Sequence, residues 1–581
     1  MKISLCMIVR DEQEMLPGCL ESVKDVIDEI IIVDTGSRDD TIEIAKKYGA
    51  SVLEVQWEDD FSKVRNMALD QATGDWVLVM DADERLTAIS SGELRGLLEA
   101  SSSEGLRVQV RDFERDNGNA DYLVNTSTRI FRNRCEYRYT RRIHEQIEWA
   151  IVQAKLGPPP VNTNLTIDHY GYLKAIVTRK EKRMRNLKLA EEEVRTVADG
   201  FSYYNLGVEY IRHQRYKEAL AALDKTLELV EHSQLLAAEA FHRKAICLIE
   251  MENFSQALSV LEQALKLHPG FTDLVFQKGE ILCQLSQYRD ALLAFQECRK
   301  MGDATAGYYS VLGIGGYRAA YAIALVYHAL RNFPEALKWY RQSLKENKSH
   351  KAAVFRIAEV LRDSVPASSL DTELAKYFDL TTEEAKRLYL EVLYTIERHE
   401  SVVTLAKELL EQAKGSVSVL ARAAVSALHI EQWDQCVAWA GELVRLDRAV
   451  IDNLLLIMVS QWVKGDLAAS QQTIYRFVQE KIDMLRAVCQ QMQWYREGRV
   501  EFSLSINFSD PDQYLQFHES VLRVLRLVVV TKDRRLLSLL LPILSPLEGH
   551  KAWLQLGLYY YRYGQEDLAW AELSDCEQKG T

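Results

Sequence analysis

The sequence predicts a doubly wound α/β domain followed by an all-α repeat solenoid. Three observations predict it. Apolar strand-like runs alternate with helical stretches over residues 3–80. The last of these runs, Trp76-Val77-Leu78-Val79-Met80, has no polar interruption, as a strand buried on both faces of a parallel sheet requires. After residue 200, small and large residues recur at a period near 34, the signature of stacked helix-turn-helix units.

Ile3 to Val9 reads as the first strand. Glu14 to Val26 is helical, with Pro17 tolerated in the first turn. Glu29 to Asp34 is the second strand. Thr41 to Tyr48 is a helix, favoured by Asp39 and Asp40 at its start and stopped by Gly49. Val52 to Val55 is a short strand. Asp60 caps a helix from Phe61 to Ala72, which Gly74 ends, and the strand before Asp81 follows. Such alternation implies right-handed βαβ units. From 105 to 170 the pattern is mixed, with short polar and aromatic strands broken by Gly118-Asn119 and by Gly157-Pro158-Pro159-Pro160. The proline run is a loop, because strand-like Leu165-Thr166-Ile167 follows it. A charged helix from Lys174 to about Val197 closes the domain.

The repeats carry Leu206-Gly207, Tyr210, Ala219, Leu223 and Thr226, then Lys244-Ala245, Leu248, Ala257, Leu261, Ala264 and Pro269. Lys278-Gly279, Leu282, Ala291 and Phe295 mark a third unit. Ala324, Tyr327, Ala336, Tyr340 and Ser343 mark a fourth, after an insertion from Gly307 to Gly316. The pattern resembles tetratricopeptide repeats. It weakens beyond residue 350 and returns at Leu556-Gly557, Tyr560, Ala569 and Leu573. Three segments are expected: an α/β domain over 1–198, repeats over 199–349, and degenerate helical repeats over 350–581. Their Met and aromatic stripes are core.

A chain of 581 residues exceeds one core. Its net charge of −13 argues against a general nucleic-acid binder. Nine cysteines, an odd number without a C-x-x-C pair, read as buried thiols of a reducing cytoplasm. No apolar run is long enough to span a bilayer, and Met1 to Val9 is too short for a signal peptide.

Function is carried by Asp81-Ala82-Asp83. Ligands of such sheets bind beyond the carboxyl ends of the strands. Two carboxylates there can hold a divalent metal and contact what it carries, and magnesium-type ions combine few carboxylates with substrate phosphates. A diphosphate-bearing substrate is therefore expected. Asp510-Pro511-Asp512 spells the same triplet, but no buried strand precedes it, and it reads as a helix start or turn.

Four blocks in order carry a resemblance: Met7-Ile8-Val9-Arg10-Asp11-Glu12, Ile32-Val33-Asp34-Thr35-Gly36-Ser37-Arg38-Asp39, Asp60-Phe61-Ser62-Lys63-Val64-Arg65-Asn66, and Gly74-Asp75-Trp76 through Asp81-Ala82-Asp83-Glu84. Over residues 3–190 the chain resembles the family-2 glycosyltransferases with a GT-A fold. It looks most like bacterial members with attached tetratricopeptide repeats, some of which glycosylate peptides or proteins, the S-glycosyltransferases among them. The resemblance implies that Asp83 holds manganese or magnesium across the diphosphate, with Asp81 on the ribose or a metal-bound water. It assigns Asp34 to the base and lines the base pocket with backbone near Val9 and Arg10. Asp11 and Glu12 lie at the same edge. Asp39 reaches the nucleotide or caps a helix. Arg65 faces the base or diphosphate, or is an exposed helix charge. His169 is a further metal ligand or a simple hydrogen-bonding residue.

Glu145, after Ile143-His144, is the general-base candidate, with His144 orienting it or contacting the sugar; a surface strand pair is the alternative. Arginines cluster at 129, 132, 134, 138, 141 and 142, a basic density suited to a diphosphate or an acidic acceptor, or a solvated charge run. Arg129 and Arg132, flanking Ile130-Phe131, lie in a segment shared with the family and are the ones expected to matter, with Arg132 expected among the nucleotide-binding residues. The resemblance implies an inverting, metal-dependent transferase that takes a sugar from a nucleoside diphosphate sugar, expected to be a UDP-sugar. The acceptor is a peptide or protein side chain held by the repeats. The alternatives are an envelope-glycan or lipid-linked acceptor, and a non-catalytic scaffold, which the intact Asp34, Asp81 and Asp83 argue against. Repeat arrays can also pair into a homo-oligomer through terminal units.

Overall fold

The computed structural model describes residues 1–87, 89–113, 122–170, 176–304, 308–412, 416–446, 450–477, 483–497 and 511–533, with 535, 536, 539 and 543. The repeat expected at Leu556 to Leu573, Gly118-Asn119, Lys174, Gly307 and Asp510 lie outside the described residues. The chain forms two compact units, Met1–Ala353 and Val354–Thr581.

The first unit opens with the alternation read from the sequence: β1 (Ile3–Val9), α1 (Leu16–Val23), β2 (Glu29–Asp34), α2 (Thr41–Lys47), β3 (Ser51–Glu54), α3 (Phe61–Gln71) and β4 (Trp76–Val79). β1 pairs in parallel with β2 and β4, and β2 with β3. β4 is buried throughout. Trp76 and Leu78 join the core cluster of α1, whereas Val77 and Val79 join that of α3, so the strand is covered on both faces. Asp60 caps α3 by accepting from Lys63 N. Gly74 serves close approach rather than helix ending: a Cβ there would lie 2.9 Å from Lys2 O and Ser4 N.

Next come β5 (Glu84–Leu86), α4 (Ser91–Ala100), β6 (Gly105–Phe113), β7 (Tyr122–Arg132), α5 (Glu148–Ala154), β8 (Val161–His169) and α6 (Ile176–Thr196). The sheet runs β3-β2-β1-β4-β7-β6-β8-β5. β7 is antiparallel to β4, with Trp76 opposite Arg132. β6 and β7 are longer than the short strands expected. In β6 buried Leu106, Val108 and Val110 alternate with Arg107, which bonds Glu148, Gln109 and Arg111, which bonds Asp168, whereas polar Asn125-Thr126-Ser127-Thr128 interrupts any such alternation in β7.

The repeats follow as α7 (Gly200–Arg212), α8 (Tyr216–Leu229), α9 (Leu235–Glu250), α10 (Phe254–Leu267), α11 (Thr272–Gln284), α12 (Tyr288–Met301), β9 (Ser310–Val311), α13 (Tyr317–Ala329) and α14 (Phe333–Glu346). Small residues sit where helices touch. Ala219, Ala257, Ala291 and Ala336 are fully buried, and a Cβ on Gly279 would meet the Phe295 ring at 2.5 Å. β9, from the insertion between α12 and α13, pairs with β7 and joins the sheet. Among the described residues the second unit continues in helices to Pro511–Val530, so Pro511 opens a helix, one of the two readings expected for it. The described cysteines are free and mostly buried. Among the described residues no helix is long and apolar enough to cross a membrane.

Candidate active site

β4 ends at the sheet's carboxyl edge and the chain turns at once, with Glu84 N donating to Asp81 O (3.0 Å). β5 then runs antiparallel to β8 and sets Glu84 opposite His169. This register brings His169 Nε2 to 3.5 Å from Asp83 Oδ1. The pair offers one nitrogen and one oxygen donor on a rigid edge. Among the described residues no cluster of three His, Cys, Asp or Glu surrounds a metal position. Two protein donors suit manganese or magnesium ions that keep waters and substrate phosphates for the rest.

Arg65, on α3, is 7% exposed and therefore no surface charge. It lies between two carboxylates. Its Nε donates to Glu145 Oε1 (2.5 Å) and its Nη2 to Asp81 Oδ1 (2.9 Å). Its buried Nη1 has no partner among the described residues. Burial would raise the Asp81 carboxyl, but the Arg65 and Arg129 guanidiniums hold it well below the usual range. Arg129 Nη2 donates to Glu84 Oε1 (2.7 Å), and Glu84 Oε2 accepts from Asp81 N (2.8 Å). Burial pushes Glu84 up to about 7 despite Arg129. Glu84 thus fixes the backbone of the first aspartate, a role the sequence reading left unassigned. Its signal was a third acid directly after the triplet.

Asp81, Arg65, Arg129 and Glu145 share the wall of a cavity of about 530 Å³, which Phe201, Asn205 and Tyr309 line from the repeat side. His144, at φ +53°, lines the same cavity and brings its ring to the repeats: Nε2 lies 3.5 Å from Glu209 on α7. Burial raises the Glu209 carboxyl, yet His144 and Arg212 hold it lowered overall.

The loops after β1 and β2 are laced together. Val9 O accepts from Thr35 N (3.1 Å) and Thr35 Oγ1 (3.2 Å). Asp11, at φ +52°, accepts from Arg38 N (2.7 Å), and Glu12 N donates to Thr41 Oγ1 (2.8 Å). Asp34 is buried and accepts from Gly36 N and Ser37 N, each at 2.8 Å. Asp39 accepts from Thr41 N and Gln13 N, both at 3.1 Å, in the manner of a residue fixing a helix start. Arg10 is exposed, 3.9 Å from Asp11.

Arg132 must be corrected. It stands over the Trp76 ring at 4.5 Å, at the amino end of β4, and donates to Ser101 O (3.1 Å). Because β7 runs against β4, Arg129 reaches the site while Arg132 points to its far end. The rest of the arginine cluster is not a free basic patch either. Arg134 bonds Glu104 (2.6 Å), Arg138 bonds Asp70 (2.8 Å), and Arg141 bonds Asp199 and Ser202 at the start of the repeats.

Known proteins share these parts. Residues 4–157 match the family described as Glycosyl transferase family 2, and 204–270, 242–307 and 277–352 match the Tetratricopeptide repeat. A TPR repeat-containing protein of Synechococcus elongatus is 45% identical over 177 residues, 29% of this chain and 42% of that protein. The SPbeta prophage-derived glycosyltransferase SunS of Bacillus subtilis is 24% identical over 285 residues, 48% of this chain and 66% of that protein. An uncharacterized glycosyltransferase of Rickettsia typhi is 40% identical over 86 residues, 15% of this chain and 29% of that protein. The chain thus spans 42% and 66% of the length of the first two of these relatives. Its N-terminal domain is a glycosyl transferase family 2 domain, and tetratricopeptide repeats follow it.

Proposed function

We propose that the chain is an inverting, metal-dependent glycosyltransferase of the cytoplasm that moves a sugar from a nucleoside diphosphate sugar, expected to be a UDP-sugar, to a peptide or protein side chain. The observation that carries this reading is the Asp81–Arg65–Glu145 bridge in one cavity wall. It links the donor end of the site to a carboxylate able to take a proton.

Asp83 and His169 would hold a divalent cation, whose chemistry there is to offset the diphosphate charge as a Lewis acid. Asp81 stays ionised because Arg65 and Arg129 favour its charged form, and it is free to bind ribose or water. Glu145 Oε1 is engaged by Arg65, which orients the carboxylate. Among the described residues Oε2 has no hydrogen bond, so it is the atom assigned to receive the acceptor's proton. Attack from the face opposite the leaving diphosphate inverts the anomeric centre in one step and needs no enzyme nucleophile. Asp34, Asp11, Glu12 and the backbone at Val9 and Arg10 lie in the interlaced loops at the same edge, where the base would bind. The repeats support a protein or peptide as acceptor.

The test is nucleotide release from a panel of sugar nucleotides with manganese or magnesium. One donor should be hydrolysed slowly, and Asp83→Asn should reduce that rate by roughly 100-fold or more while thermal unfolding is unchanged. Full activity of the variant would refute the metal assignment, and failure of every donor to bind would refute the reading.

A further inference from the structure

The repeats close the cavity of the transferase domain. α7 supplies Phe201 and Asn205 to its wall, and the segment between α12 and α13 supplies Tyr309. That segment is fixed from both sides. In β9, Val311 lies opposite Leu123 and Ser310 opposite Val124 of β7. On the repeat side Tyr309 N donates to Glu239 Oε1 (2.8 Å), Val311 N to Asp273 Oδ1 (3.0 Å), and Ser310 Oγ to Asp273. Tyr308 stacks on Phe271 with ring centroids 4.5 Å apart. The faces of α9 and α11 that carry Glu239 and Asp273 therefore bind a strand of the chain itself, through main-chain bonds of the kind an extended peptide would use.

The chemistry of this wall is specific. Two aromatic rings, Phe201 and Tyr309, share it with the polar side chains of Asn125, Ser127 and Asn205. Asn205 is 9% exposed, and among the described residues its amide has no hydrogen-bond partner. An amide that opens onto a cavity can be met by a polar group that enters it. Aromatic faces beside amides and hydroxyls suit a polyhydroxylated ring, whose C–H face lies on the aromatic group while its hydroxyls meet the polar ones.

We propose that Phe201, Asn205 and Tyr309 form the subsite for the donor's sugar ring, so that the repeats select which sugar is transferred. This rests on the nucleotide-sugar reading above. A site built to bond a particular hydroxyl discriminates strongly against a ring that lacks it. The same ring chemistry could come from a sugar already on the acceptor, and the experiment separates the two sources.

Full-length protein with manganese is titrated calorimetrically with UDP, GDP and dTDP and with their hexose and N-acetylhexosamine conjugates. The variants are Asn205→Ala and Tyr309→Ala; the latter leaves the backbone bonds of residues 309–311 in place, and thermal melting checks folding. Wild type should bind one nucleotide sugar more tightly than its bare nucleotide. In both variants that preference should fall about fivefold or more, with the bare nucleotide bound as before. No preference in wild type, or one that survives in both variants, overturns the proposal. Methyl glycosides that bind wild type but neither variant would then place the acceptor's sugar there. If wild type binds no nucleotide and no conjugate, the nucleotide-sugar reading itself fails and the inference falls with it.

Discussion

The two edges of the parallel sheet treat partly or fully buried acids in opposite ways. At the amino edge, Glu29 accepts from Lys2 Nζ (2.8 Å), Thr73 N (2.6 Å), Thr73 Oγ1 (2.8 Å) and Gly74 N (3.2 Å), and from Ser4 Oγ. Burial would raise its carboxyl, but these donors bring it down to about 2. At the carboxyl edge, Asp81, Glu84 and Glu145 share two arginines, Glu84 is pushed up to about 7, and Arg65 Nη1 is left unmet. One edge completes its own hydrogen bonding. The other holds charge in a cavity and leaves Arg65 Nη1 without a partner among the described residues.

The sharpest way to break this contrast is Arg65→Met. It removes the cation shared by Asp81 and Glu145 and leaves two partly buried carboxylates facing each other. Breaking such a pair costs about 3–5 kcal/mol, to be read from the urea midpoint, and donor hydrolysis should vanish with it. A variant as stable as wild type would mean that the bridge is not what holds this edge together.

Glu29→Gln probes the other edge, with a smaller effect. The folded carboxyl lies at about 2, below its ordinary 4.5. Its stabilisation is therefore present above pH about 4.5 and lost as pH falls towards 2. With the side chain 21% exposed, screening leaves about 1–2 kcal/mol. The variant should be less stable than wild type at pH 7, equal to it near pH 2, and unchanged in donor hydrolysis. Equal pH dependence of the two proteins would show that the Glu29 network contributes nothing.

The same contrast explains what could be read from the sequence. β1 to β4 alternate with helices within a few residues of the expected bounds, because β1, β2 and β4 are apolar runs and α2 and α3 follow acidic residues, whereas exposed β3 and uncapped α1 are marked only by their place in the alternation. The repeats declare themselves through Ala219, Ala257, Ala291 and Ala336, since close helix contact admits only small residues. Arg65 was harder: a charge on a helix reads as solvated or ligand-bound, and only packing shows its two carboxylates. Tyr309 was hidden too, because an insertion in a repeat gives no sign that it will pair with a strand of another domain. Strand direction beyond β4 is likewise absent from local sequence, and it decides between Arg129 and Arg132.

Those two arginines give the smallest and most exact test. They lie on one strand, three residues apart, and composition cannot distinguish them. Arg129 bonds the buried Glu84 that fixes Asp81, whereas Arg132 covers Trp76 at the opposite end of β4. Arg129→Met should slow donor hydrolysis by about tenfold or more, since small displacements at a site are costly. Arg132→Met should lose about 0.5–1 kcal/mol of cation–π contact and leave hydrolysis unchanged within about twofold. If both variants slow hydrolysis alike, the division of labour between the two edges is wrong, because an arginine at the self-completed edge would then be governing the chemistry of the open one.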